Sequence, residues 1–102
     1  MAAVRKIGTI TLGAPGTGSI TWQRQGTSEA CHVQVSNAGI GGNTFTSTLE
    51  GSLQVNVTNP VVLSSTLTND CLHSNILHLP YMKCSVTATV IGSGTFDVWV
   101  LE

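Results

Sequence analysis

Charged side chains are scarce in this sequence of 102 residues. Lysine, arginine, aspartate and glutamate together make up 9% of the chain, whereas ordinary soluble domains carry roughly 25%. Four basic and five acidic residues give a net charge of −1, so the chain lacks the basic stripe that neutralises nucleic-acid phosphates. A surface with so little charge repulsion favours self-association. We therefore expect no nucleic-acid partner, and a surface that is partly covered in an assembly.

Long apolar runs are also missing, and cysteine is sparse. No run approaches the ~20 residues of a membrane-spanning helix, and no apolar segment of a secretory signal follows the early basic residues. We expect a protein made in the cytoplasm, without a membrane partner. Cys31, Cys71 and Cys84 form no C-x-x-C pair. We expect buried, reduced thiols, and a single disulfide among the three is the open alternative.

The apolar residues that are present follow the two-residue period of β-strands. The stretch from Tyr81 to Glu102 is predicted to be a closing hairpin with its turn at residues 92–94. Its first arm buries Cys84 and Val86, and its second arm buries Val98. The alternation predicts further strands at residues 3–12, 19–25, 30–36, 44–50, 52–58 and 61–68, with 30–36 and 44–50 forming a second hairpin.

Residues 69–80 are the least regular segment. Either they form a short helical turn that carries Leu72, Ile76 and Leu79, or they form a crossover loop. Roughly eight short strands without a long helix predict an all-β fold. We expect an antiparallel β-sandwich, of which the jelly roll is one arrangement. Residues 1–102 form a single domain, with residues 1–8 as an arm or an edge strand.

Catalytic and ligand-binding motifs give little support to an enzyme. His73, His78 and Cys71 suggest zinc ligands, but their spacing matches no established motif, and polar loop histidines are the ordinary interpretation. The segment 13–20, GAPGTGSI, lacks the G-K-[ST] ending of a phosphate loop and is predicted to be a hairpin turn. No G-x-S-x-G elbow is present. We expect no catalytic site, no metal and no cofactor.

Two tryptophans are candidates for contact with a partner. Trp22 shares a strand face with Arg24, and tryptophan and arginine are enriched at interfaces. Trp99 and Leu101 lie on the nominally polar face of the last strand, where a neighbouring subunit could cover them. The alternative is that both tryptophans cap the core. Arg5 and Lys6 are half of all basic residues, and an N-terminal strand that carries them could add to the sheet edge of a neighbour.

Two stretches resemble a known family. Residues 44–54, TFTSTLEGSLQ, resemble the "T-V-x-L-E-G-S-L-D" strand of small β-sandwich structural proteins in tailed-bacteriophage virions. Residues 81–102 resemble their terminal hairpin, in which "Y-[IMV]-[KR]" leads through "SGT" to a final "V-x-V" strand. HVQVSNAG occupies the place of the preceding arm. The family continues after its glutamate-glycine pair with an acidic "D-G-x-W" turn, whereas residues 54–58 here alternate like a strand.

The resemblance covers about half of the chain and implies a structural role on the virion. We expect a capsid decoration (cement) protein on the capsid surface, made in the host cytoplasm, that stabilises joints between capsid subunits. Its partners would be the major capsid protein and copies of itself, as a dimer or trimer. The interface residues would be Arg5, Lys6, Trp22, Arg24, Trp99 and Leu101. The alternatives are a tail, baseplate or head-fibre module, and a carbohydrate-binding module with Trp22 and Tyr81 as its platform.

Overall fold

The computed structural model describes residues 3–13, 16–37, 45–68, 70–88 and 94–102, excepting the side chains of 37, 66–68, 70 and 71. These residues form eight strands and one 3-10 turn. The strands are β1 (Val4–Leu12), β2 (Gly16–Gln23), β3 (Ala30–Asn37), β4 (Phe45–Ser52), β5 (Val61–Thr68), β6 (Asp70–Leu77), β7 (Tyr81–Ala88) and β8 (Gly94–Leu101). Across the described ranges, no helix is long and apolar enough to cross a bilayer.

The strands form two four-stranded sheets in which every pairing is antiparallel. Sheet A has the order β1-β8-β3-β6, and sheet B has the order β2-β7-β4-β5. The pairs β1/β8, β2/β7, β3/β6 and β4/β5 are those of one long hairpin that has been rolled up. This is the strand order of a jelly roll. The predicted antiparallel sandwich of eight strands is therefore confirmed.

The core lies between the sheets and follows the predicted alternation. Cys31, Val33 and Val35 of β3 are fully buried, and their neighbours His32 and Gln34 are exposed. In β7 and β8 the buried positions again alternate with half-buried or exposed ones. The rings of Phe45 and Phe96 meet edge to face across the core, with centroids 4.9 Å apart. Aromatic pairs prefer this geometry, and here the pair joins sheet B to sheet A.

The predicted hairpins are wrong. β7 lies in sheet B and β8 lies in sheet A, so the two arms of the stretch Tyr81 to Glu102 do not pair with each other. The same holds for β3 and β4, and for β1 and β2. Each arm has one apolar face. Because the two arms of each pair lie in opposite sheets, both apolar faces point into the core and are buried. The predicted turn residues 92 and 93, and most of the loop 37–43, lie outside the described residues.

The secondary structure of two segments also differs from the prediction. Residues 70–77, expected to be a helical turn or a loop, form β6, while most of 52–58 forms a tight loop with a 3-10 turn at Val55–Val57. An isolated bridge joins Gln54 to Thr58. Asn56, Val57 and Asn59 adopt positive φ angles of 61°, 52° and 49°, which a continuous strand cannot accommodate. The exposed apolar residues of this loop therefore do not belong to a strand face.

Candidate interaction surfaces

The outer face of sheet A carries a shallow apolar groove of about 350 Å³. Trp99 lies in it half-buried, while Val4 is 68% exposed and Leu72 is 59% exposed. We call this surface the Trp99 groove; its lining residues are Val4, His32, Gln34, Leu72, Trp99, Val100 and Leu101. The solvated face of an antiparallel sheet is normally polar, so this apolar face is a candidate contact surface.

Strand register explains how four strands build the groove. Leu72 of β6 is opposite Gln34 of β3, and Gln34 is opposite Trp99 of β8. In the next row His32 is opposite Leu101, which in turn is opposite Val4 of β1. Side chains in such rows share one face of the sheet. Apolar residues that are distant in sequence therefore come together in space.

Charged groups border the groove on the β1 side. Lys6 Nζ lies 5.6 Å from the centre of the Trp99 ring, in cation–π range, and 3.3 Å from Asp97 Oδ1. Thr9 Oγ1 donates to the same carboxylate oxygen at 2.7 Å. The hydrogen bond from Thr9, together with Lys6, holds the pKa of Asp97 below its ordinary value. The charged groups of Lys6 and Asp97 at this border are therefore paired with each other, and the polar side chains of His32 and Gln34 lie among the apolar residues of the groove.

At one end of the sandwich, a polar cluster joins the two sheets. We call it the Glu102 cluster; it consists of Arg5, Trp22, Arg24, His78 and Glu102. Arg5 Nε donates to Glu102 Oε1 at 3.1 Å, and Arg5 Nη2 donates to the backbone oxygen of Gln23 at 3.2 Å. Arg24 Nη1 donates to the backbone oxygen of His78 at 2.9 Å. The two arginines therefore hold neighbouring strands and the β6–β7 connection together.

His78 lies at the centre of this cluster and is 1% exposed. Trp22 Nε1 donates to His78 Nε2 at 3.3 Å, and Nδ1 lies 3.5 Å from Glu102 Oε2. Because Nε2 accepts a hydrogen bond, the ring carries its proton on Nδ1, which faces the carboxylate. Burial lowers the pKa of His78, although the Glu102 carboxylate opposes this shift. Burial therefore favours the neutral form of the ring, which packs between Trp22 and Glu102.

His73 belongs to a separate network inside the sandwich. Its Nδ1 lies 2.7 Å from Ser64 Oγ and its Nε2 lies 3.0 Å from Ser47 Oγ. Ser47 Oγ in turn lies 3.7 Å from Cys84 Sγ. Burial lowers the pKa of His73. Because His73 is 1% exposed and Ser47 is 0% exposed, these two side chains are enclosed between the sheets, whereas Ser64 is half-buried.

The outer face of sheet B differs in chemistry from the outer face of sheet A. Two rows of hydroxyl side chains cross its strands, set by the register of β2, β7, β4 and β5. We call this surface the hydroxyl face; it consists of Thr17, Ser19, Thr46, Thr48, Ser65, Ser85 and Thr87. Neighbouring hydroxyls hydrogen-bond across strands, as between Thr17 and Thr87 at 2.8 Å. The outer face of sheet A therefore carries an apolar groove, whereas the outer face of sheet B carries two rows of hydroxyl side chains.

The six residues predicted at the interface divide into two groups. Lys6, Trp99 and Leu101 come together at the Trp99 groove, and Arg5, Trp22 and Arg24 join the Glu102 cluster. Trp22 is only 6% exposed, so it caps the core and does not present its ring to a partner. Trp22 therefore does not form the exposed sugar-binding platform that was predicted for Trp22 and Tyr81. Of residues 1–8, predicted to be an arm or an edge strand, residues 4–8 lie in the edge strand β1, and residues 1 and 2 lie outside the described residues.

Sequence reasoning missed several residues of both sites. Val4, His32, Gln34 and Leu72 line the groove because register places them beside Trp99, and register is not visible in a single strand. His78 was expected in a polar loop, but it is buried. His73 and His78, which were considered with Cys71 as zinc ligands and rejected on their spacing, have different partners, and the Cys71 side chain lies outside the described residues. Within those residues, no group of three or more His, Cys, Asp or Glu is placed to hold a metal.

No protein-family model matches the chain, and a search of curated protein sequences finds no match.

Proposed function

We propose that this chain is a structural protein of a tailed-phage virion, most specifically a capsid decoration protein that binds the assembled shell through the Trp99 groove. The jelly-roll strand order supports a structural role, because this fold is common in capsid proteins. The resemblance of residues 44–54 and 81–102 to virion proteins points the same way. The low charge of the chain suits a molecule whose surface is covered in an assembly.

The exposed apolar face of sheet A is the observation that carries the proposal. Val4 and Leu72 are each more than half exposed beside Trp99, and burying such side chains against a partner stabilises the contact by roughly 1 kcal/mol each. These side chains add nothing to the stability of the monomer while they are exposed, whereas they would contribute to binding if a shell covered them. Because many symmetric copies bind the same particle, a modest contact per copy is sufficient to stabilise it.

Binding to purified particles tests this proposal. Leu72→Asp places a charge in the Trp99 groove, and Thr48→Asp places the same charge on the hydroxyl face. Both side chains point outward, so both variants should fold and melt like the parent chain. We expect Leu72→Asp to be lost from particles and Thr48→Asp to be retained. Equal retention of both variants would contradict attachment through the groove.

Copy number separates the decoration role from a tail, baseplate or head-fibre module. A decoration protein is present in proportion to the capsid subunits, whereas a tail, baseplate or fibre module is present in far fewer copies. Quantitative mass spectrometry of particles measures this ratio directly. A low ratio of this chain to the capsid subunits would favour a tail, baseplate or head-fibre module. Absence of the chain from particles would contradict a role in the virion.

A carbohydrate-binding module is the second candidate. His32 and Gln34 lie beside Trp99 in the groove, and an aromatic ring with polar neighbours is a common sugar platform. The position of Lys6 over the Trp99 ring works against this role, because a stacked sugar would have to displace the cation. Binding on a glycan array that is abolished by Trp99→Ala would favour the sugar-binding role over the capsid role.

A further inference from the structure

Among the residues that the structure describes, four strands lie at sheet edges, and three of them carry features that hinder pairing with another chain. β1 carries Arg5 and Lys6 and has a register shift just after Lys6. β5 has a register shift at Leu63, which has no counterpart in β4. β6 has a register shift too, and Asn75 within it has a φ of 55°. Charges and bulges of this kind are the usual protection of a sheet edge.

β2 is the edge strand that lacks this protection. All eight of its residues, from Gly16 to Gln23, have a partner in β7 without a shift in register. Its sequence, GTGSITWQ, contains no charged residue and no proline. Thr17, Ser19 and Thr21 are exposed. A regular, uncharged and accessible edge is a template for adding a further strand.

The hydrogen-bond pattern shows which backbone groups of β2 face outward. The N–H of Arg24 donates to the backbone oxygen of Pro80, so Arg24 faces β7. N–H and C=O groups alternate sides along an antiparallel strand, so Gln23, Thr21, Ser19 and Thr17 face away from β7. The side chain of Arg5 donates a hydrogen bond to the outward carbonyl of Gln23. Thr17, Ser19 and Thr21 remain as the open part of the edge.

We propose that β2 pairs in antiparallel fashion with β2 of a second copy of this chain, about a two-fold axis at Ser19. Thr17 is then opposite Thr21 of the partner subunit, and Ser19 is opposite Ser19 of the partner subunit. Each of these residues both donates and accepts, which gives about six backbone hydrogen bonds. The two B sheets join into one sheet of eight strands.

Side-chain complementarity selects a second copy as the occupant. In the same register Gly18 is opposite Ile20 of the partner subunit; each of these residues already packs against β1 of its own chain, so the backbone and the outward hydroxyls carry the contact across the joint. The outward hydroxyls continue the rows of the hydroxyl face across the joint. No like charges meet along the two strands. The pairing does not depend on the proposed function, because the Trp99 groove lies on sheet A and remains open in both copies.

Sedimentation analysis across a dilution series from micromolar to millimolar protein tests the pairing. We expect the parent chain to be in equilibrium between monomer and dimer, and Ser19→Pro to weaken the dimer about a hundred-fold or more, since it removes hydrogen bonds at the axis. The N–H of Ser19 faces outward, so proline there breaks no bond to β7. A parent chain that stays monomeric throughout, or a dimer that persists in Ser19→Pro, would overturn the proposal.

A second pair of variants keeps the test decisive if proline disturbs folding. Ser19→Lys brings two like charges together at the axis, whereas Ser85→Lys places the same charge one strand away in the same row of sheet B. We expect Ser19→Lys to be monomeric and Ser85→Lys to dimerise like the parent chain. Equal dimerisation of the two variants would show that the copies meet elsewhere and would refute pairing through β2.

Discussion

Gly18 of β2 lies directly against Ile10 of β1, where the two sheets meet at one side of the sandwich. A Cβ atom added at Gly18 would lie 2.6 Å from Ile10 Cγ2 and 3.2 Å from Leu12 Cδ2. A reciprocal contact places Gly8 of β1 against Ile20 of β2. Two glycines thus allow two isoleucines to close this side of the core, and their role is to leave space.

Gly18→Ala should destabilise the fold by about 1–3 kcal/mol, because the added methyl overpacks a core boundary held by the β-branched Ile10. Gly13→Ala is the matched control: nothing lies within 4 Å of a Cβ at Gly13, so its effect should be within about 0.5 kcal/mol. Urea unfolding in dilute protein measures both. Equal stability of the two variants would show that the contact has room to relax.

Local alternation predicted which faces are buried but not which strands are neighbours. Val33 and Val98 were correctly placed in the core because a two-residue period is a local property of the chain. Sheet membership is not local, and the hairpin predictions failed for that reason. β6 was missed because a register shift separates its buried residues, His73 and Ile76, by three positions, which resembles helical spacing.

The same limit applies to the candidate contact surface. Trp99 and Leu101 were recognised as an outward apolar pair from β8 alone. Their neighbour Leu72 comes from β6, which was not predicted to be a strand. In the loop before β5, the alternation of Leu53 and Val55 with polar residues predicted a strand, but these side chains lie in a loop and are 75% and 58% exposed. Hydrophobic alternation cannot distinguish an inward face from an exposed apolar loop.

Val57→Asn should stabilise the protein by about 1 kcal/mol. Val57 has a φ of 52°, a left-handed conformation that is strained for a β-branched residue and that asparagine adopts readily. Val55 lies two residues earlier in the same loop; it is an exposed valine without positive φ. Val55→Asn should therefore change stability by less than about 0.5 kcal/mol. Thermal melting of the two variants compares them directly, and a lower midpoint for Val57→Asn would contradict the strain.

Cys31 should resist alkylation in the native protein. It is fully buried, and this burial, assisted by the Glu102 carboxylate, raises the pKa of its thiol to about 11. At pH 8 roughly one thiol in a thousand would be the reactive thiolate. Iodoacetamide treatment followed by peptide mapping should leave Cys31 unmodified in buffer and modify it in concentrated urea. Rapid modification in buffer would mean that β3 is more accessible than its packing implies.

Stability should fall as the pH decreases below the ordinary histidine pKa of about 6.5. Burial lowers the pKa of both His73 and His78 in the folded chain, so the unfolded chain takes up protons first. The stabilisation is complete above about pH 6.5 and is lost as the pH falls toward the folded pKa values, at up to about 1.4 kcal/mol per pH unit for each histidine. Urea unfolding at pH 7.5 and 5.5 measures this loss. NMR titration of the imidazole protons should assign depressed pKa values to these two rings. A flat stability profile across this range, with normal titration of both rings, would show that neither histidine is held neutral by burial.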